Sequence, residues 1–184
     1  MSIIMDMYKV KWTRLQSEII KFLCISVGRA VSLRELSRKL HKTPTAVSNG
    51  LIELKKDGIV RVEKSENIKL LSIELERDNP KVIEIKRIEN LKLIYESGLS
   101  NYLRENFPGS TIILFGSYSK GEDIRESDID IAVIGKEKET DLSDFDKRLE
   151  RKIIINFYDS FKKIHKHLLE NILNGIILNG GVEL

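Results

Sequence analysis

Apolar positions near the start of the chain recur at helical spacing. In "TRLQSEIIKFLCIS" (13–26), Leu15, Ile19, Ile20, Phe22 and Leu23 fall on one side of a helix. "VSLRELSRKL" (31–40) opens with Ser32 as an N-cap, and Glu35 three residues on completes a capping box. After the short turn "HKT", Thr43 caps a third helix and Pro44 takes its first position; "PTAVSNGLIELKKDG" then stops at Asp57-Gly58. Within it Val47, Leu51 and Leu54 share a face at i, i+4, i+7. Two β-rich stretches follow, "IVRVEK" and "NIKLLSIELE", joined by the polar "SE". Next, Asn79 and Pro80 open a long helix to about Ser97, with a shorter one from Ser100 to the break at Pro108-Gly109. Ile85, Ile88 and Tyr95, with Leu91 nearby, give it an apolar stripe, for packing on the second domain or for pairing with a second copy. From there strands and helices alternate. "STIILF", "SDIDIAVIG" and "KIIINFYD" read as strands, "SDFDKRLERK" (capped by Ser143) and "SFKKIHKHLLENILNG" as helices, and "IILNGGVEL" as an extended end.

Three helices followed by a β-ribbon make a winged helix-turn-helix, and the alternating remainder makes a second, mixed domain. The fold class expected is α+β, with a mixed sheet and helices packed on one face of it. The expected boundaries are a winged helix-turn-helix at 1–78, connecting helices at 79–108 and the second domain at 109–184. A hydrophobic fraction of 41% with 32% charged residues suits a water-soluble chain, and no apolar run reaches the ~20 residues of a membrane span. No signal-peptide pattern opens the sequence, so a cytoplasmic location is expected, without membrane partners. The single cysteine, Cys24, lies in the first helical pattern and excludes an intramolecular disulfide.

Charge divides the chain. Residues 1–80 carry 15 Lys/Arg against 10 Asp/Glu, whereas 81–184 carry 16 against 18. A basic front half points to a polyanionic partner for that half alone. The third helix turns Thr43, Thr45, Ser48 and Asn49 outward near its N-terminus, where a recognition helix meets base edges. Lys55 and Lys56, with Arg61 and Lys64 of the wing, are placed for phosphates, which position the protein without reading sequence. The stretch "TPTAVSNGLIELKKDGIVR" resembles the recognition helix, turn and wing of winged-helix transcription regulators. That resemblance implies double-stranded DNA as a partner and pairing as a homodimer; a winged helix used for protein contact is the alternative.

The second domain carries "FGSYSKGEDIRESDIDIAV" (115–133). A strand ending at Phe115 runs into Gly116-Ser117 and a short helix to Lys120, a turn of the kind that binds anions through backbone N–H groups. Gly121 ends that turn. Asp128 and Asp130 stand at i and i+2 on the next strand, so both carboxylates leave the same face. Two adjacent carboxylates repel unless a hard cation joins them, and oxygen ligands favour Mg²⁺ or Mn²⁺. "GSYSKGEDIRESDIDI" resembles the signature of the DNA polymerase beta-like nucleotidyltransferases in their minimal form, matching at Gly116, Ser117, Lys120, Gly121, Ser127, Asp128 and Asp130. The resemblance implies a nucleoside triphosphate held by Gly116, Ser117, Lys120 and Gly121, metal on Asp128 and Asp130, and nucleotidyl transfer. It also implies a third carboxylate on a later strand. In "KIIINFYD" the alternation sets Lys152, Ile154, Asn156 and Tyr158 on one face, making Asn156 the expected occupant of that catalytic position. Asparagine takes up no proton at neutral pH.

Three readings stay open on the sequence. One is a DNA-binding regulatory protein whose second domain binds Mg-NTP with transfer weak or lost. Another is an active Mg-dependent transferase that moves a nucleoside monophosphate onto a protein, RNA or small molecule. The third is a partner-binding, antitoxin-like module.

Overall fold

The computed structural model describes residues 12–64 and 71–183. The chain splits into two compact units between Asn79 and Pro80.

In the first unit, α1 (Arg14–Ile25) starts at a full capping box: Thr13 Oγ1 accepts from the Gln16 N–H at 3.3 Å, and Gln16 Oε1 accepts from the Thr13 N–H at 2.7 Å. The two-residue β1 (Val31–Ser32) leads into α2 (Leu33–Lys39) and then α3 (Pro44–Lys56). The wing is β2 (Val60–Lys64) against β3 (Leu71–Leu75), antiparallel from Val60↔Leu75 to Lys64↔Leu71. β1 adds on the far side of β3, giving the order β1-β3-β2. The "SE" turn and the start of "NIKLLSIELE" lie outside the described residues. Helix–strand–helix–helix–strand–strand is the winged helix-turn-helix topology. Its core joins Ile19, Ile20 and Leu23 of α1 to Leu36, Val47, Leu51, Leu54 and Ile73, all at most 4% exposed. Burial of each such side chain contributes about 2 kcal/mol.

The expected capping box on α2 forms only by half. Ser32 Oγ accepts from the Glu35 N–H, but the Glu35 carboxylate turns to Arg29 in a two-pronged pair at 2.7 and 2.9 Å. A charge-assisted fork outcompetes one bond back to a backbone amide.

The second unit opens with α4 (Pro80–Glu96) and α5 (Leu99–Asn106), so the segment expected as a connector from 79 to 108 is counted inside it. Its sheet has the order β6-β5-β4-β7. β4 (Thr111–Phe115) runs antiparallel to β5 (Ile129–Ile134) and to β7 (Ile176–Asn179), while β5 and β6 (Ile153–Tyr158) are parallel. Between these strands lie α6 (Gly116–Lys120), α7 (Ser143–Leu149), a 3-10 turn (Phe161–Lys163) and α8 (Lys166–Leu173). Asp141, not Ser143, supplies the side-chain acceptor at the start of α7, for the Ser143 N–H at 2.9 Å. Ile112, Leu114, Ile129, Ile131, Val133 and Ile153 pack on one side of the sheet with Ile94, Leu99, Leu103, Tyr118 and Leu149 from α4 to α7. The other side carries Ile113, Phe115 and Ala132 under Phe161, Ile164 and Ile172, so α8 lies over this face in addition to the helices expected on one.

The apolar stripe of α4 is not the face that it buries within its own unit. Ile88 and Tyr95 are 65% and 52% exposed, whereas Val82, Lys86, Asn90 and Ile94, each four residues from the last, are buried. The reason is polar: this face meets a buried aspartate and needs donors.

Candidate functional site

The loop from β4 to β5 builds the candidate site. Gly116 has φ +74°, the left-handed region where a side chain is strained, and a Cβ there would collide with the Asp130 carboxylate. The backbone at the start of α6 therefore sits directly against one of the two aspartates. Within α6, Ser119 Oγ donates to the Gly116 carbonyl at 2.8 Å. Gly121, at φ +79°, ends the helix, and a Cβ on it would run into the backbone of α4 at Ile83 and Arg87. Lys120 makes no ion pair among the described residues, which leaves its ammonium available to an anion.

The return to β5 is pinned. The Glu122 N–H donates to the Ser117 carbonyl at 3.0 Å, and Ile124 and Ser127 exchange two bonds of 3.0 Å each. Asp128 then precedes β5, and Asp130 pairs with Phe115 of β4. Burial, and after it the charge of Asp128, pushes the Asp130 carboxyl above its ordinary value. Two half-buried carboxylates of one sign fit a hard divalent cation such as Mg²⁺, which takes one or two carboxylates and completes its shell with phosphate oxygens and water. Among the described residues, no three His, Cys, Asp or Glu side chains come together to hold a metal by themselves.

The strand register revises the expectation for Asn156. β5 and β6 are parallel and in step, with Asp130 paired to Ile154 and Ala132 to Asn156. Side chains alternate along a strand, so Asn156 shares the face of Asp130 but stands two residues, about 6.6 Å, further along. Lys152, whose carbonyl accepts from the Ile129 N–H at 2.8 Å, stands one step before Ile153. The β6 neighbours of the aspartate pair are thus a lysine and an isoleucine. Alternation alone had given the face of β6 but not its offset against β5.

Sequence reasoning also missed a buried group behind the loop. Lys86, Asn90, Asp123 and Arg151 are each at most 6% exposed. The signal that could have found two of them is Lys86 and Asn90 at four-residue spacing between Val82 and Ile94.

In the first unit the expected interface residues are on the surface. Thr43, Thr45, Asn49, Lys55, Lys56, Arg61 and Lys64 are exposed and Ser48 is half-buried. Some are partly engaged. Thr43 Oγ1 accepts from the Ala46 N–H at 3.2 Å, Lys55 Nζ reaches the Val62 carbonyl at 3.4 Å, and Arg61 pairs with Glu76 at 3.3 Å. Lys39 and Lys42, exposed around the turn into α3, extend the basic surface and were not singled out. Gly50 serves close packing, since a Cβ on it would stand 3.1 Å from Ile19 Cδ1.

Residues 96–178 match the family model of the nucleotidyltransferase domain. The match spans α5 to β7 and includes Gly116, Ser117, Asp128 and Asp130. Among solved structures the chain is similar to the adhesin competence repressor AdcR of Streptococcus pyogenes, at 18% identity over 57% of this chain and 75% of that one, TM-score 0.42. It is also similar to a mutant of ZitR from Lactococcus lactis, at 22% identity over 54% of this chain and 64% of that one, TM-score 0.38. Scores this low leave the architecture to be read from the chain's own topology. No curated protein matches. Among the described residues no helix is long and apolar enough to cross a membrane.

Proposed function

We propose that this chain is a cytoplasmic DNA-binding regulatory protein whose second unit binds a nucleoside triphosphate with Mg²⁺ or Mn²⁺ and has little or no transfer activity. One observation carries the reading: the residue beside Asp130 on the neighbouring strand is Ile154, an apolar side chain. A carboxylate that helps to activate an acceptor hydroxyl must reach the same metal-bound centre as Asp128 and Asp130. Isoleucine can neither take a proton nor ligate a cation there. On the phosphate side, Gly116 against Asp130, Ser117 next to it and Lys120 without an ion pair among the described residues support nucleotide binding. Binding without turnover suits a sensor. The winged helix, with Thr45, Ser48 and Asn49 outward and Lys55, Lys56 and Lys64 flanking, supplies a surface for duplex DNA. Homodimer formation would match two such surfaces to a two-fold site.

The test is incubation with Mg²⁺ and α-labelled ATP in a cell lysate, alongside direct titration of Mg-ATP onto the purified chain. Metal-dependent binding without label transfer is the expected result. Label transfer that disappears in Asp130→Asn would overturn it in favour of an active transferase, the reading that the match at 96–178 supports. Failure to shift any duplex DNA at low salt would remove the regulatory half.

A further inference from the structure

Asp123 receives three donors in the interior of the second unit. Lys86 Nζ of α4 pairs with Oδ1, Asn90 Nδ2 of α4 donates to the same oxygen at 2.7 Å, and an Arg151 terminal nitrogen lies 3.4 Å from Oδ2. Each of the cluster's two ends reaches the loop a second time. Asn90 Nδ2 also donates to the Tyr118 carbonyl inside α6 at 2.9 Å. Arg151 donates its other terminal nitrogen to the Arg125 carbonyl at 2.6 Å, on the way to Asp128.

Burying three charges costs several kcal/mol per ion before pairing, and apolar side chains of the same volume would pack without that cost. A charge cluster does something that apolar packing does not: it fixes direction. Here one carboxylate is tied through Asn90 to the phosphate turn and through Arg151 to the Arg125 carbonyl, in the turn three residues before Asp128. Lys86 and Asn90 precede residue 96, so this support comes from outside the stretch that matches the nucleotidyltransferase family.

We propose that Asn90 and Asp123 are positioning residues of the nucleotide site, holding the Gly116–Lys120 turn and the Asp128–Asp130 strand in one register so that phosphates and metal are bound together. The proposal rests on the reading of this site as one for Mg-NTP. Gly121, seated against the backbone of α4, supplies the steric half of the same device.

The test uses the full chain, with Mg-ATP titrated calorimetrically and amide exchange followed by NMR, well below the melting temperature of every variant. Asn90→Ala removes both donors and leaves the three charges in place. It is expected to weaken Mg-ATP at least tenfold and to speed exchange at Ser117–Lys120 in the free protein, while Ile113 and Ile131 keep their protection. A structural role alone would lower the melting temperature but leave the affinity of the folded protein unchanged. Should Asn90→Ala not fold, Asn90→Ser, whose single short donor cannot serve both acceptors, must show the same loss. Affinity within twofold of the native chain with unchanged exchange at 117–120 overturns the positioning role alone. Absence of binding by the native chain, with any Mg-NTP, overturns both the role and the reading beneath it.

Discussion

Two helices of similar length, α3 in the first unit and α4 in the second, use lysine in opposite ways. α3 buries Val47, Leu51 and Leu54 and leaves Lys55 and Lys56 in water. α4 buries Lys86 and Asn90 between Val82 and Ile94 and leaves Ile88 and Tyr95 in water. The first presents its chemistry outward from an apolar anchor; the second turns chemistry inward to brace a loop. A recognition surface needs mobile, hydrated charges that can meet phosphates. A site for a compact polyanion and a metal needs backbone held to a fraction of an ångström, and buried hydrogen bonds do that at the cost of desolvation.

The comparison is broken hardest at Asp123. Asp123→Ala strips the shared anion and leaves Lys86 and Arg151 as two buried cations. Removing one partner of a buried ionic group costs about 3–5 kcal/mol. In chemical denaturation the second unit is expected to unfold early, with the transition of the first unit where it was. A loss below about 1 kcal/mol would mean that water reaches the cluster and that α4 differs little from α3.

The same contrast explains what the sequence made legible. Apart from Ile52, which is exposed, the large apolar residues of 13–58 are buried or half-buried, so three helices, their caps at Ser32 and Thr43 and the stop at Gly58 were readable from the sequence. The Gly-Ser turn and the paired aspartates were readable too, because those residue types have few other uses at that spacing. The buried face of α4 was not. Its partner Asp123 is 37 residues from Lys86, and only the folded loop makes a buried lysine affordable. The position of Asn156 along its strand, beside Ala132 rather than Asp130, was not legible for a related reason. Alternation fixes a face, whereas the offset between parallel strands is set by hydrogen bonds such as Ile129 N–H to the Lys152 carbonyl, which no local pattern encodes.

Gly116→Ala sharpens the comparison at the site itself. At φ +74° the new side chain is strained by about 1 kcal/mol, and its Cβ displaces the Asp130 carboxylate. The stability loss is expected to be modest, measured as a shift in the denaturation midpoint, while Mg-ATP affinity falls at least tenfold in calorimetry. An unchanged affinity would show that Asp130 does not need its place against the turn.

Asp130→Asn should change stability in the other direction. Burial and Asp128 raise the folded-state pKa of this carboxyl, so below the unfolded value both states are protonated and nothing is lost. As pH rises from the unfolded value to the raised folded one, the ionised carboxylate comes to oppose folding, in full above the folded value. The amide removes that cost. The metal-free variant is expected to melt slightly higher than the native chain at pH 7 and equally at pH 3, while Mn²⁺ binding, followed by water-proton relaxation, disappears. A lower melting temperature at pH 7 would mean that the carboxylate is stabilised by partners in the fold rather than penalised by it.

The smallest effect on stability belongs to the outward lysines. Lys55→Glu with Lys56→Glu touches exposed side chains whose recorded contacts are a 3.4 Å reach to the Val62 carbonyl and a 3.8 Å pair with Glu53. Surface changes of this kind stay within about 0.5 kcal/mol. The expected effect lies in binding. Two phosphate contacts are worth about 2 units of slope in log affinity against log salt, and reversing both charges should remove that much and weaken all duplexes alike. Fluorescence anisotropy across a salt series measures it. If the slope holds while stability falls, these lysines brace their own unit as Lys86 braces the other, and the division between an outward-facing and an inward-facing helix collapses.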